Sequence, residues 1–231
     1  MTQVLFISDI HGNFEALKAV NDEVPYDIVF CLGDIVDYGP EPAECIDWLR
    51  KNNVATIRGN HDNAVAYRVD CGCGYVYKHL SEATREYTWA SIDDNDISFL
   101  KGLPLLLEKE VDGVKLVLAH GSPGSFFDYM YPDTPAERLA ELTGAISCDY
   151  LAVGHTHKPM IVSLPDKTIL NPGSVGQPRD GDSRASCLSL DTATGDARII
   201  RVQYDIDSVC DKIRKVMPHA SELERILRRG Y

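Results

Sequence analysis

Short, fully apolar runs alternate with stretches whose apolar positions recur at helical spacing through the first hundred residues. Val4 to Ser8 is the first run, and it stops at Asp9. Asn13 then stands where a helix cap is needed, ahead of Phe14, Leu17 and Val20 at near-helical spacing, with closure near Pro25. Ile28 to Leu32 repeats the apolar run and ends at Gly33-Asp34. Pro40 and Pro42 open a helix carrying Cys45, Ile46 and Leu49, and Val54 to Ile57 gives a third run ending at Gly59-Asn60. This rhythm predicts parallel βαβ units, in which each polar cluster lies just past the carboxyl end of a strand.

Residues 63–80, with Cys-Gly-Cys-Gly and no clean period, break the rhythm and are expected to form an insertion or lid. A helix is expected from about Ser81 and a second, short one up to Leu100. From Pro104 the pattern turns to hairpins: Leu105 to Val111 reverses at Asp112-Gly113 into Val114 to Ala119, which delivers His120-Gly121. A loop with Phe126, Phe127, Tyr129 and Tyr131 follows; packing of these rings onto their own domain is weighed against stacking of a nucleobase. A helix from about Pro135 to Ala145 leads into the strand Tyr150 to Val153, which ends at Gly154-His155-Thr156-His157. Two hairpins, near Pro165-Asp166 and Thr194-Gly195, are expected to complete a second sheet, and the tail from Asp205 reads as helical. With no internal repeat and no linker, residues 1–231 are expected to form one α/β domain.

Composition narrows the setting. The chain has 231 residues, 44% hydrophobic and 25% charged, which is enough for one large core. A formal net charge of -12 argues against salt-sensitive binding to duplex nucleic acid, which needs a cationic face. A small phosphorylated substrate is still admissible where a metal site supplies positive charge locally. No stretch approaches a bilayer-spanning length, and the start lacks the marks of a signal peptide, so no membrane partner and a cytoplasmic location are expected. The seven cysteines are odd in number and scattered, which fits reduced thiols. The one close pair, Cys71-Gly72-Cys73, is a residue short of a metal knuckle and is read as a loop with two free thiols. The basic positions of the tail, Lys212, Arg214, Lys215, Arg225, Arg228 and Arg229, read as a solvated face, with an oligomer left open.

The polar clusters carry the chemistry. Asp9 and His11 alternate on chain leaving a strand, so both side chains can reach one ion. Asp34 can bridge that ion to a second, with Asn60 offering a carbonyl oxygen, His120 and His155 offering imidazoles, and His157 turning back to the first. Seven ligands around two divalent ions, whether Mn, Fe, Ni or Zn, form a clamp for in-line displacement at phosphorus by a bridging hydroxide. His61, next to the ligand Asn60 but not needed as one, is placed to protonate the departing alkoxide. Asp37 can accept from its other ring nitrogen and fix its tautomer. Asp62 is expected to anchor the turn.

In their order, D-x-H, G-D-x-x-D-x-G, G-N-H-[DE], H-G and G-H-x-H, these clusters resemble the signature of the calcineurin-like metallophosphoesterase superfamily, spanning residues 9 to 157. The segment Asn171-Pro172-Gly173-Ser174 and the modest length resemble its small prokaryotic, phosphodiesterase-like branch. The resemblance implies an α/β fold of two facing mixed β-sheets flanked by helices, with terminal hairpins reaching about residue 202. It also implies hydrolysis of phosphoesters, most simply phosphodiesters of small nucleotides or related compounds. One position departs from the phosphoprotein phosphatase branch, where an arginine after the second aspartate grips phosphate; here it is Tyr38. Arg58, Arg179 and Arg184 are the candidate replacements. The alternatives are a phosphoprotein phosphatase or dinucleoside polyphosphate hydrolase and, of another class, an inactive binding or scaffold member.

Overall fold

The computed structural model describes residues 1–144 and 146–231. Gln3–Ile7 forms β1 and Ile28–Cys31 forms β2, paired in parallel from Val4 opposite Ile28 to Ile7 opposite Cys31. The two-residue β3, Ala55–Thr56, continues the parallel order. The crossovers are α1, Phe14–Glu23, and α2, Pro42–Lys51. Asn13 caps α1 as expected, its Oδ1 accepting from the Ala16 N–H at 3.1 Å.

The apolar runs are continuous because both faces of these strands are covered. Val4 and Phe6 point one way, with Phe30, Leu32 and Ile57, into a core shared with Leu116, Leu118, Ala152 and Leu170 of the second sheet. Leu5 and Ile7 point the other way, against Leu17 and Val20 of α1 and Ile46 and Leu49 of α2. Each such buried side chain contributes about 1.5–3 kcal/mol relative to exposure, and the two layers together fix the direction of the strand ends.

The second sheet contains β4 (Leu106–Val111), β5 (Val114–Ala119), β6 (Tyr150–Ala152), β7 (Met160–Ser163) and β8 (Thr168–Asn171), ordered β4-β5-β6-β8-β7. The Asp112-Gly113 hairpin and the β7–β8 hairpin lie in this sheet as the sequence implies. The last hairpin does not. Its strands β9 (Ala185–Asp191) and β10 (Ala197–Val202) join the first sheet, ordered β10-β9-β1-β2-β3. Placing both hairpins in the second sheet is therefore corrected. β9 is buried over most of its length and closes the open edge of β1 antiparallel, from Gln3 opposite Asp191.

Residues 63–80 are more regular than expected. Helix α3, Asn60–Tyr67, starts at the third strand's polar cluster, and α4, Tyr75–Ser91, begins before Ser81, so the irregular part shrinks to the segment 68–74. Helix α5, Asp94–Gly102, ends near Leu100 as anticipated, and α6 spans Ala136–Thr143; Ala145, where the predicted helix was to end, lies outside the described residues. The tail forms α7, Ile206–Val216, and α8, Ala220–Arg229, whose Val209, Ile213, Leu223, Ile226 and Leu227 pack against Leu80 of α4 and against Tyr38. Its cations are largely paired: Lys212 donates to Glu15 and Glu41, and Arg228 to Asp207. No helix among the described residues is long and apolar enough to cross a membrane.

Candidate metal centre

All seven residues read as ligands sit on loops leaving strand ends and are buried. Asp9 and His11 follow β1, Asp34 follows β2, and Asn60 follows β3 at the start of α3. His120 follows β5, and His155 and His157 follow β6. The loops bring six of them together in two groups, Asp9–His11–His157 and Asp34–His120–His155, each with its ligand atoms within 4.8 Å of one another. The groups meet where His11 Nε2 lies 3.9 Å from Asp34 Oδ2. Five of these residues, Asp9, His11, Asp34, His155 and His157, have positive φ between 48° and 68°. Aspartate and histidine tolerate that region better than most residues, and strain of this kind gathers where side chains must be aimed.

Hydrogen bonds behind the ligands fix which atoms face inward. The Nδ1 of His11 lies 2.8 Å from the Val36 carbonyl, that of His120 2.7 Å from Leu32, and that of His157 2.6 Å from Gln177. A carbonyl only accepts, so each Nδ1 carries the proton and donates it, and Nε2 is turned to the interior. His11 Nε2 and His157 Nε2 approach to 3.2 Å. Burial, together with charge on neighbouring histidines, holds His11 well below the usual histidine range, so its Nε2 is a lone pair; burial and the charge of Arg179 also lower His157. Asn60 donates its Nδ2 to the Cys71 carbonyl at 2.9 Å, which leaves Oδ1 as its inward atom, 3.1 Å from His120 Nε2.

Charge and satisfaction both fit cations in these groups. Asp9 Oδ1 and His155 Nε2 are buried with no hydrogen-bond partner; Asp9 Oδ1 lies 3.2 Å from His157 Nε2, but a lone pair there offers it no proton. Such orphans are costly unless an ion completes them. Burial would raise Asp34, yet the charges of His120 and His61 hold it well below the usual carboxylate range. Burial would lower His120, but the Asp34 carboxylate 3.1 Å away raises it to about 9. In the metal-free chain His120 thus keeps a proton in the place a cation would take. His155, with burial and His120 against its charged form, falls to about 3 and is a ready neutral ligand. The donor set of carboxylate, imidazole and amide oxygen, with no thiolate, suits hard or borderline ions such as Mn, Fe, Ni or Zn.

His61 stands beside both groups, close to His11 and Asp34. Its Nδ1 is 2.8 Å from Asp37 Oδ2, and its backbone N–H donates to Asp34 Oδ1 at 2.8 Å. Burial opposes its charge, but Asp34 and the Asp37 bond outweigh that and raise it, so it holds a proton more readily than a free histidine. Gly59, just before the candidate ligand Asn60, allows the close approach: a Cβ there would sit 2.1 Å from Asp34 Oδ1. Asp62 anchors the turn, as expected, accepting from the N–H groups of Asp34, Ile35 and Gly59.

The sequence reading missed Arg85. It is 5% exposed on α4 and donates to Asp37 Oδ2 through Nε at 3.2 Å and Nη2 at 3.1 Å, while Thr88 Oγ1 donates to Asp37 Oδ1. A signal existed: Ser81, Thr84, Arg85 and Thr88 form a polar stripe at helical spacing, and a stripe that is polar and buried must face a polar partner.

Of the three arginines named for the place of Tyr38, Arg179 is the one that reaches the centre. Its guanidinium stacks 3.9 Å above the Tyr77 ring and lies 5.7 Å from that of Tyr38, whose own ring packs edge-on at 4.8 Å from His11. Arg58 is committed to the Tyr67 hydroxyl and the Lys101 carbonyl, and exposed Arg184 to Asp182. Arg179, Lys158, Thr156, Tyr77, Tyr129 and Tyr131 line a cavity of about 420 Å³. It adjoins the ligands, since the Tyr129 ring lies 4.1 Å from that of His155. The aromatic loop therefore divides: Phe126 and Phe127 pack on each other at 4.5 Å, while Tyr129 and Tyr131 stack at 5.6 Å along the cavity.

Comparison with known proteins places this architecture. The family model described as calcineurin-like phosphoesterase matches residues 2–159. An uncharacterized protein of Methanocaldococcus jannaschii is 34% identical over 234 aligned positions, covering 93% of each chain. The crystal structure of a metallophosphoesterase from Sphaerobacter thermophilus superposes with a TM-score of 0.82 at 29% identity, covering 100% of this chain and 99% of that one. A hypothetical protein from Pyrococcus horikoshii gives 0.85 at 28% identity, with the same coverage.

Proposed function

The chain belongs to the calcineurin-like phosphoesterase family, and on that premise we propose that it is a two-metal phosphodiesterase acting on small nucleotides or related esters. The observation that carries the reading is the placement of His61: tied to Asp37 through Nδ1, and beside two groups of metal-type ligands. Asp9, His11 and His157 would hold one ion and His120, His155 and Asn60 the other, with Asp34 shared. When bound, such ions supply Lewis acidity at the phosphoryl oxygens and activate water.

The chain's own residues do the rest. Arg179 is placed to grip a non-bridging phosphoryl oxygen, the task that Tyr38 cannot perform, and Tyr77 beneath it holds the guanidinium plane. His61 keeps a proton and has Nε2 free, so it can deliver that proton to the departing alkoxide oxygen, which would otherwise leave as a poor, charged group. Asp37 fixes the tautomer that points Nε2 at the substrate, and Arg85 holds Asp37 still. The cavity of about 420 Å³ has room for the organic half of an ester, and its tyrosines offer flat apolar surface to a planar one. A diester brings such a second organic group; a phosphoprotein side chain does not.

Protein loaded with Mn should hydrolyse bis-p-nitrophenyl phosphate, and among natural compounds it should turn over cyclic or linear nucleotide diesters faster than phosphopeptides or diadenosine tetraphosphate. His61→Ala should lose about 10²–10⁴ in kcat, the usual worth of a positioned proton donor, while elemental analysis finds its metal retained. Full metal loading without turnover on any phosphoester would leave a scaffold as the correct reading.

A further inference from the structure

The ligand atoms of His61, Cys71 and Cys73 also lie within 4.8 Å of one another, and the Cys71 carbonyl accepts from Asn60 Nδ2 at 2.9 Å, so this group borders the two already described. The chain builds this arrangement locally. After α3, Arg68 turns the backbone through positive φ, and Asp70 Oδ1 accepts the Gly72 N–H at 2.8 Å. Gly72 itself has φ +65°, and a Cβ on it would sit 2.6 Å from the Phe127 ring. Only glycine lets the chain reverse there, and the reversal brings the two cysteines together. Cys71 Sγ is buried, lies 3.2 Å from Ser81 Oγ and receives the Cys73 N–H at 3.4 Å. Ser81 in turn is held by Arg85 at 2.5 Å. Cys73 is partly exposed, so the cluster is open to solvent.

We propose that His61, Cys71 and Cys73 form a third cation site, selective for thiophilic ions such as Cd, whose occupation switches the phosphoesterase off. Two thiolates and one neutral imidazole make the ligand set of a three-residue zinc site that keeps an open fourth position. Ligand atoms around a tetrahedral zinc stand roughly 3.5 Å apart, so the observed spacing needs only a small closure. Asp37 holds Nδ1 of His61, which leaves Nε2 as the nitrogen for the ion. That is the atom assigned to protonate the leaving group, so an ion there and a proton there exclude each other. Binding displaces one proton from each thiol and the Nε2 proton of His61, three in all for one divalent ion, with no electron transferred and the charge of the ion balanced by the two thiolates. The seven-ligand centre contains no sulfur and prefers harder ions; softness therefore sorts activating from inhibiting cations. The inhibitory consequence rests on the phosphodiesterase reading, whereas the site itself does not.

The test uses Mn-loaded protein titrated with Cd. One equivalent should produce the ultraviolet charge-transfer band of cadmium thiolate and release three protons, while elemental analysis finds the Mn still present. Turnover of bis-p-nitrophenyl phosphate should fall in step with the band by about a hundredfold, as it would on losing the general acid. Cys73→Ser, a residue outside the proposed catalytic machinery, should remove both the band and the inhibition while hydrolysing the diester like the parent. A band that survives unchanged in Cys73→Ser, or no band at one equivalent with Mn retained, overturns the site. A band without any phosphoesterase activity at the start would leave the site standing and remove the proposed function instead.

Discussion

Arg179 and Arg184 are both exposed to the sequence reader as loop cations, yet the fold gives them opposite surroundings. Arg179 lies on tyrosine rings at the cavity beside the ligands, and Arg184 is bound to Asp182 at the surface. Arg179→Ala should raise KM for a phosphodiester roughly tenfold or more, the worth of a charge-assisted hydrogen bond, with a smaller effect on kcat; steady-state kinetics separates the two. Arg184→Gln should leave KM alone. Its effect belongs to Asp182, whose carboxyl is lowered to about 2, chiefly by the hydrogen bond from Arg184. A depressed carboxyl stabilises the fold above its unfolded value of 3.8 and loses that contribution as pH falls toward 2. Arg184→Gln should therefore move the Asp182 titration, followed by carbon NMR, up toward 3.8, and the exposed pair should matter little to stability at neutral pH. The sequence pointed to Tyr38 as the gap in the phosphate grip. It could not choose the replacement, because loop residue Arg179 reaches the site through Tyr77, a neighbour from helix α4.

Helix α4 is the element whose start the sequence read least well and the one that supports His61, the proposed general acid, through Asp37. Its first residues carry Tyr75, Tyr77 and His79 with no apolar period, and its stripe from Ser81 to Thr88 is polar because it meets Asp37, beside the apolar contact that Leu80 makes. The helix itself is expected from about Ser81; its first six residues escape because Tyr75 and Val76 are exposed, and hydrophobic periodicity reports burial rather than position. The same logic explains the misplaced β9–β10 hairpin: an apolar strand says that it is buried, but not which sheet edge covers it. The strands of the βαβ half and the ligand loops were legible, since there the pattern and the motif report the same geometry. Arg85→Ala tests the element's role. It leaves the fully buried Asp37 without its cation, and loss of one partner of such a pair costs about 3 kcal/mol or more, measurable as a lower urea midpoint with an unchanged slope. Arg85 acts on the chemistry only by positioning Asp37, so Arg85→Lys should restore the midpoint in part and return the parent's pH profile of kcat. An Arg85→Ala protein as stable as the parent would mean that Asp37 is satisfied by some other route.

At the scale of the whole molecule, the candidate centre is a joint between two layers. Asp9, His11, Asp34 and Asn60 hang from the first sheet, and His120, His155 and His157 from the second. Each proposed ion takes ligands from both, since Asp9 and His11 meet His157, and Asp34 meets His120 and His155. Below the joint the sheets are held by their shared apolar core, but at the joint the metal-free chain has orphaned Asp9 Oδ1 and His155 Nε2 and several buried carboxylates. Divalent ions should therefore act as cross-links and stabilise the fold by mass action. An ion at a hundred times its dissociation constant adds about 2.7 kcal/mol. Chelator-treated protein should melt lower than the Mn-loaded form, and its extra amide exchange should concentrate in the loops after β1, β2, β5 and β6 rather than in the strands. Because the chain carries a net charge of -12, any salt will also raise stability by screening repulsion. The decisive comparison is Mn against sodium at equal ionic strength, in the parent and in Asp34→Asn. The Mn-specific increment should be present in the parent and largely lost in the variant, whose shared carboxylate is gone. An increment equal for both ions, or untouched by Asp34→Asn, would mean that the two sheets are joined by their core alone and that the seven residues do not bind ions as a unit.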